Sequence, residues 1–185
     1  MEYQVIKSGR RTVALQVKDG RLIVRAPLSM GDAEIQRFVL NNQSWIDKQL
    51  KKAEQRAERA RGITPMTPEE LTQLANRAAE VIPQRVSHYA AIMGVNYGRV
   101  TIRCQRTRWG SCSSKGNLNF NCLLMLAPPQ VLDSVVVHEL CHRMQMNHSP
   151  RFYARLLAVF PEYYKWHDWL KQNGDALFAR LPSKN

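Results

Sequence analysis

Apolar and polar positions divide the chain into an opening of strands, a long helical middle, a second short run of strands and a helical end. Residues 3–27 read as strands, with β-rich runs at Thr12–Val17 and Leu22–Arg25. Lys18-Asp19-Gly20-Arg21 joins them, and Asp-Gly between such runs signals a hairpin. Ile35, Phe38, Val39, Trp45, Ile46, Leu50 and Ala53 then recur at helical spacing. Ser29, with Asp32 three residues on, gives this helix a start, and Gly62 and Pro65 stop it. Thr67-Pro68-Glu69-Glu70 opens a second helix with a cap, a proline at the first position and a glutamate at the third. Its stripe runs from Leu71 to Met93 and ends at Gly94, and Pro83 inside it predicts a kink.

Val100–Cys104 and the alternating Leu118–Leu123 predict a small antiparallel sheet, with a turn at Ser113–Asn117. Pro128-Pro129 opens a helix whose buried side carries Leu132, Val135, Val136 and Leu140. Ser149-Pro150 and Pro161 start two more, and Asn173-Gly174 ends the last. The pattern is α+β. It places a β-hairpin and a long helix in residues 1–64 and a second domain in 65–185.

A chain of 185 residues, 44% hydrophobic and 23% charged, has room for one domain with a small appendage. The most apolar run, Cys122–Pro129, is far short of the roughly 20 residues that span a bilayer, so no membrane partner is expected. The start Met1-Glu2-Tyr3-Gln4 has no basic-then-apolar signal, and the expected compartment is the cytoplasm with reduced thiols. None of the four cysteines forms a CxxC pair, which argues against a structural zinc site built from them. Cys141 reads as a small buried filler. The net charge is +12, and between Glu80 and Asp133 there is no acid but there are five arginines and Lys115. Such a field favours polyanions or acidic proteins and raises nucleic-acid proximity as a partner class.

The chemistry concentrates at His138-Glu139-Leu140-Cys141-His142, followed six residues later by His148. Residues four apart share one helix face, so His138 and His142 can ligate one ion, with Glu139 beside them. On a continuous helix His148 would lie roughly 15 Å along the axis from His138. The helix must therefore break between about Met144 and Asn147 and turn back, and no glycine is there to help. Three neutral imidazoles leave one tetrahedral position of a single Zn2+ open for water, the pattern of a catalytic site. Zinc lowers that water's pKa to about 7. Glu139 would take its proton as general base and pass it to the leaving amine. Tyr153, Tyr163, Tyr164, His167 and Arg108 are candidates for a second oxyanion donor; of these Tyr153 is put forward.

These residues, with Met146-Asn147-His148-Ser149-Pro150-Arg151-Phe152 and the separate Trp109-Gly110-Ser111-Cys112, resemble the YgjP-like metallopeptidases, relatives of the SprT-like and WLM zincins. The N-terminal Asp19-Gly20, Ala26-Pro27 and Trp45-Ile46 are similar too, so the resemblance covers nearly the whole chain. It implies a zincin-like α+β fold, zinc on His138, His142 and His148, and Glu139 as catalyst. It also implies that Trp109, Gly110, Ser111 and Cys112 lie at a sheet edge that binds an extended polypeptide substrate. The ligand spacing resembles the metzincins as well, but Gln145 stands at their glycine position and no methionine follows His148 for a Met-turn. The activity expected is zinc-dependent hydrolysis of peptide bonds, of the endopeptidase type. The alternative is a basic DNA- or protein-binding module with a structural or vestigial zinc site.

Overall fold

A computed structural model of the chain describes residues 2–18 and 20–182. The chain divides into two compact units, Met1–Arg61 and Gly62–Asn185, each with its own hydrophobic core.

In the first unit β1 (Tyr3–Ser8), β2 (Ala14–Lys18) and β3 (Arg21–Pro27) form a sheet in the order β1-β3-β2. β2 and β3 pair antiparallel, with Lys18 opposite Arg21; Asp19 of the expected Asp-Gly turn lies outside the described residues. β1 pairs with β3 in parallel, Tyr3 opposite Leu22, which no local signal announces. The central β3 alternates in burial, and its buried Leu22, Val24 and Ala26 share a core with Ile35, Val39 and Ile46. The single long helix expected here is two helices, α1 (Asp32–Asn41) and α2 (Gln43–Ala60). Asn42 makes the break: its side-chain amide donates to the Phe38 carbonyl at 2.8 Å, a local bond that competes with the helix ladder. The start also moves, from Ser29 to Gly31, whose N–H donates to Glu34 Oε2 at 2.8 Å.

In the second unit α3 (Pro68–Met93) begins as its start signal predicts. Thr67 Oγ1 accepts from the Glu70 N–H at 3.2 Å, and Glu70 Oε2 accepts from the Thr67 N–H at 2.8 Å. The helix continues through Pro83 and is capped by left-handed Gly94. β4 (Val100–Arg103), β5 (Gly110–Cys112) and β6 (Leu118–Asn121) follow, in the order β4-β6-β5. The β5–β6 pair is antiparallel and the β4–β6 pair parallel, so this small sheet is mixed. β5 is an edge. The α+β class is the one the chain adopts.

A 3-10 turn at Cys122–Leu126 leads into α4 (Pro129–Cys141), in which Val131 to Val137 are all buried. Arg85 of α3 grips Asp133 of α4 through two bonds, Nε to Oδ1 at 2.7 Å and Nη2 to Oδ2 at 2.5 Å. That pairing takes Arg85 out of the set of free cations. α5 (Pro150–Val159) is capped by Ser149, and α6 (Tyr163–Ala179) closes the unit. α6 runs past Asn173-Gly174, where an end was expected. Asn173 stays in the helix by donating to the Trp169 carbonyl at 2.8 Å, and Gly174 faces the Trp109 ring, 3.0 Å from where its Cβ would be. No helix among the described residues is long and apolar enough to cross a membrane.

Candidate metal centre

The end of α4 brings the three histidines together. α4 stops at Cys141, sooner than the expected break. Tight turns then reverse the chain without a glycine: Arg143 N–H bonds the Leu140 carbonyl, and Met144 and Gln145 N–H both bond that of Cys141. The imidazole itself helps, because Nδ1 of His142 lies 3.0 Å from the Gln145 carbonyl oxygen. His148 arrives just ahead of the α5 cap. Its Nε2 stands 3.0 Å from His138 Nε2, and the ring centroids of the three histidines are 4.8–5.0 Å apart. Phe152, fully buried, lies under all three rings at 4.8–5.0 Å.

The donor set fits a divalent cation. One nitrogen from each histidine lies within 4.8 Å of the others. Nδ1 of His138 is turned to the Tyr163 hydroxyl at 3.0 Å, and Nδ1 of His142 to a backbone oxygen, so each has an outer partner of the kind that orients a ligand. Zinc–nitrogen bonds of 2.0–2.1 Å at tetrahedral angles put ligand nitrogens roughly 3.3 Å apart, close to the 3.0 Å between His138 and His148. Burial, then the neighbouring imidazoles, pulls His138 down to about 3, and burial foremost lowers His142 as well. Both favour the neutral imidazole that ligates a metal.

Glu139 lines the same cavity as His138, and its Oε1 lies 2.6 Å from where a Cβ on Gly110 of β5 would be. It is 6% exposed, and burial pushes its carboxyl up to about 8. A cation beside it would favour the ionised form. The groove next to it is a cavity of about 280 Å³ lined by Arg108, Trp109, Gly110, Val135, His138, Tyr163 and His167, among others.

A sequence model of the family described as YgjP-like, metallopeptidase domain, matches residues 11–72 and 68–173. The chain belongs to this family. As a YgjP-like metallopeptidase it has a metal cofactor and a polypeptide substrate by class. Two solved structures are similar to it. One is the metallopeptidase zymogen jannalysin of Methanocaldococcus jannaschii, at 20% identity and a TM-score of 0.46, covering 51% of this chain and 97% of that one. The other is the metallopeptidase zymogen abylysin of Pyrococcus abyssi, at 20% identity and 0.47, covering 50% and 94%. No curated protein is a match.

Within the YgjP-like chain the sequence-chosen residues divide. His138, His142 and His148 cluster, with Glu139 beside them. Trp109 and Gly110 line the cavity. Ser111 and Cys112 lie on β5 outside that lining, Ser111 Oγ accepting from Asn119 Nδ2 at 3.2 Å and Cys112 donating to the Ser113 carbonyl. Tyr153 is also outside it, stacked on Tyr164 and 6.3 Å from the His148 ring. Three residues of the centre escaped the sequence reading in their actual roles: Phe152 as the floor, Tyr163 as the partner of His138, and Asn121. Asn121 is fully buried and donates from Nδ2 to the carbonyls of Gln105 and Arg108, tying down the loop before Trp109. Its single signal in the sequence is a polar residue at the end of a strand otherwise bound for the core.

Proposed function

We propose that the chain is a zinc-dependent endopeptidase in which His138, His142 and His148 hold the ion and Glu139 is the general base. The observation that carries this reading is the convergence of the three imidazoles next to a buried carboxylate at the wall of a substrate-sized cavity. Bound zinc supplies a Lewis acid and an acidified water. Glu139 accepts the proton at a carboxylate oxygen and returns it to the departing amine nitrogen, its burial keeping bulk water from competing. Tyr163 accepts from the His138 Nδ1–H and so holds Nε2 toward the centre. Arg108, Tyr163 and His167 line the cavity and Tyr153 does not, so the second donor to a developing oxyanion is assigned to those three in place of Tyr153. The edge position of β5 leaves backbone groups free to pair with an extended substrate, which suits cleavage within a chain.

A nucleic-acid role draws less support. Within or near the acid-free stretch, Arg85 pairs with Asp133, Arg106 bonds the carbonyls of Leu181 and Pro182, and Arg143 bonds that of Asn96. The deciding experiment compares the zinc-loaded protein with Glu139→Gln on an unstructured polypeptide. The variant should keep its zinc and lose about 10²–10⁴-fold in rate. Equal cleavage by both would remove Glu139 from the mechanism. Absence of cleavage by the zinc-loaded parent, together with salt-sensitive DNA binding that persists in chelator, would favour the basic binding module.

A further inference from the structure

The first residue of β5 is a glycine whose backbone does not require one. Gly20, Gly62, Gly94 and Gly116 have positive φ, the conformation that side chains resist. Gly110 does not; it is an extended residue paired antiparallel with Phe120. What excludes a side chain is space. A Cβ at Gly110 would lie 2.6 Å from Glu139 Oε1, 2.7 Å from its Cγ and 2.9 Å from its Cδ. All three nearest atoms belong to one side chain, that of the glutamate.

We propose that Gly110 is a positioning residue: its bare backbone is the surface on which the Glu139 carboxylate rests, and the missing side chain sets where that carboxylate stands. The inference depends on the reading of Glu139 as the base. The elements on either side are the stiffer parts. β5 is paired with β6 along its whole length, Phe120 opposite Gly110 is fully buried, and α4 is packed into the core. The carboxylate is the softer part, because among the described residues no hydrogen bond holds it. A methyl group at 110 therefore displaces Glu139 in preference to the backbone. Restoring ordinary contact takes a shift of roughly 1 Å. A general base must stay within hydrogen-bond reach of the proton it takes, and an error of that size costs on the order of 10²-fold in rate.

Gly110→Ala should lower kcat on the order of 10²-fold with KM and zinc content near those of the parent. A crystal structure of the variant should show the Glu139 carboxylate moved and α4 in place. Glu139→Ala clears the space, so any Tm lost on placing alanine at 110 should vanish in the Glu139→Ala background, a readout independent of activity. Glu139→Asp withdraws the carboxylate, and the double variant Gly110→Ala/Glu139→Asp should be no slower than Glu139→Asp alone. Parental kcat in Gly110→Ala, with Glu139→Gln inactive, overturns the positioning role and leaves the base assignment standing. An equal Tm loss in both backgrounds also overturns it, since the glycine would then serve the fold. Full activity in Glu139→Gln removes the base, and the positioning role with it.

Discussion

The hydroxyl of Tyr163 lies 3.0 Å from Nδ1 of His138, a bond made across 25 residues of sequence. It joins the start of α6 to the helix that carries His138 and ends just before His142, and Tyr163 is itself only 5% exposed. Removing one such outer partner typically weakens a metal site by 10- to 100-fold. Tyr163→Phe keeps the ring and deletes the bond. Zinc affinity, measured by competition with a chromogenic chelator, should fall by about that factor. Unchanged affinity would mean that packing against Tyr163 is enough to orient His138.

His148 is the exposed member of the cluster and the one reached only by reversing the chain. Ligand binding to the folded state alone stabilises it by about 2.7 kcal/mol at a free concentration of 100 Kd. Zinc added to the metal-free protein should therefore raise Tm in a concentration-dependent way, and chelator should reverse it. His148→Ala should flatten that rise while leaving the Tm of the metal-free protein close to the parent's. A rise of parental size in His148→Ala would exclude it from the ligand set.

Asn121 is 0% exposed and satisfies three backbone groups. Its Nδ2 serves the Gln105 and Arg108 carbonyls at 2.6 and 2.9 Å, and its Oδ1 accepts from the Leu123 N–H at 3.1 Å. Asn121→Ala should cost about 1–3 kcal/mol in denaturant unfolding, the penalty of buried groups left unsatisfied. Peptide hydrolysis should fall as well, because the loop it holds carries Arg108 and Trp109 to the cavity. A stability loss with no change in KM or kcat would confine Asn121 to the fold.

Much of the local structure was legible in the sequence. Thr67-Pro68 and Ser149-Pro150 announce their helices because capping is settled among three or four neighbouring residues. The i, i+4 spacing of His138 and His142 places their rings on one face through the helical repeat alone. The family resemblance was legible too, because its motifs are short and local. Where the structure departs from the local pattern, a side chain intervenes. Asn42 split one helix into two, and Asn173 with Gly174 carried another past its expected end.

The residue types and spacings by themselves determined the helix starts, the paired histidines and the need for a break ahead of His148, since each depends on a few adjacent residues. Tertiary structure alone decided which distant partners meet. It set β1 parallel to β3 and β4 parallel to β6, Tyr163 against His138, and Gly110 under Glu139. Such pairings follow from how whole elements share one core. They depend on packing over tens of residues, and no short window of sequence carries that information.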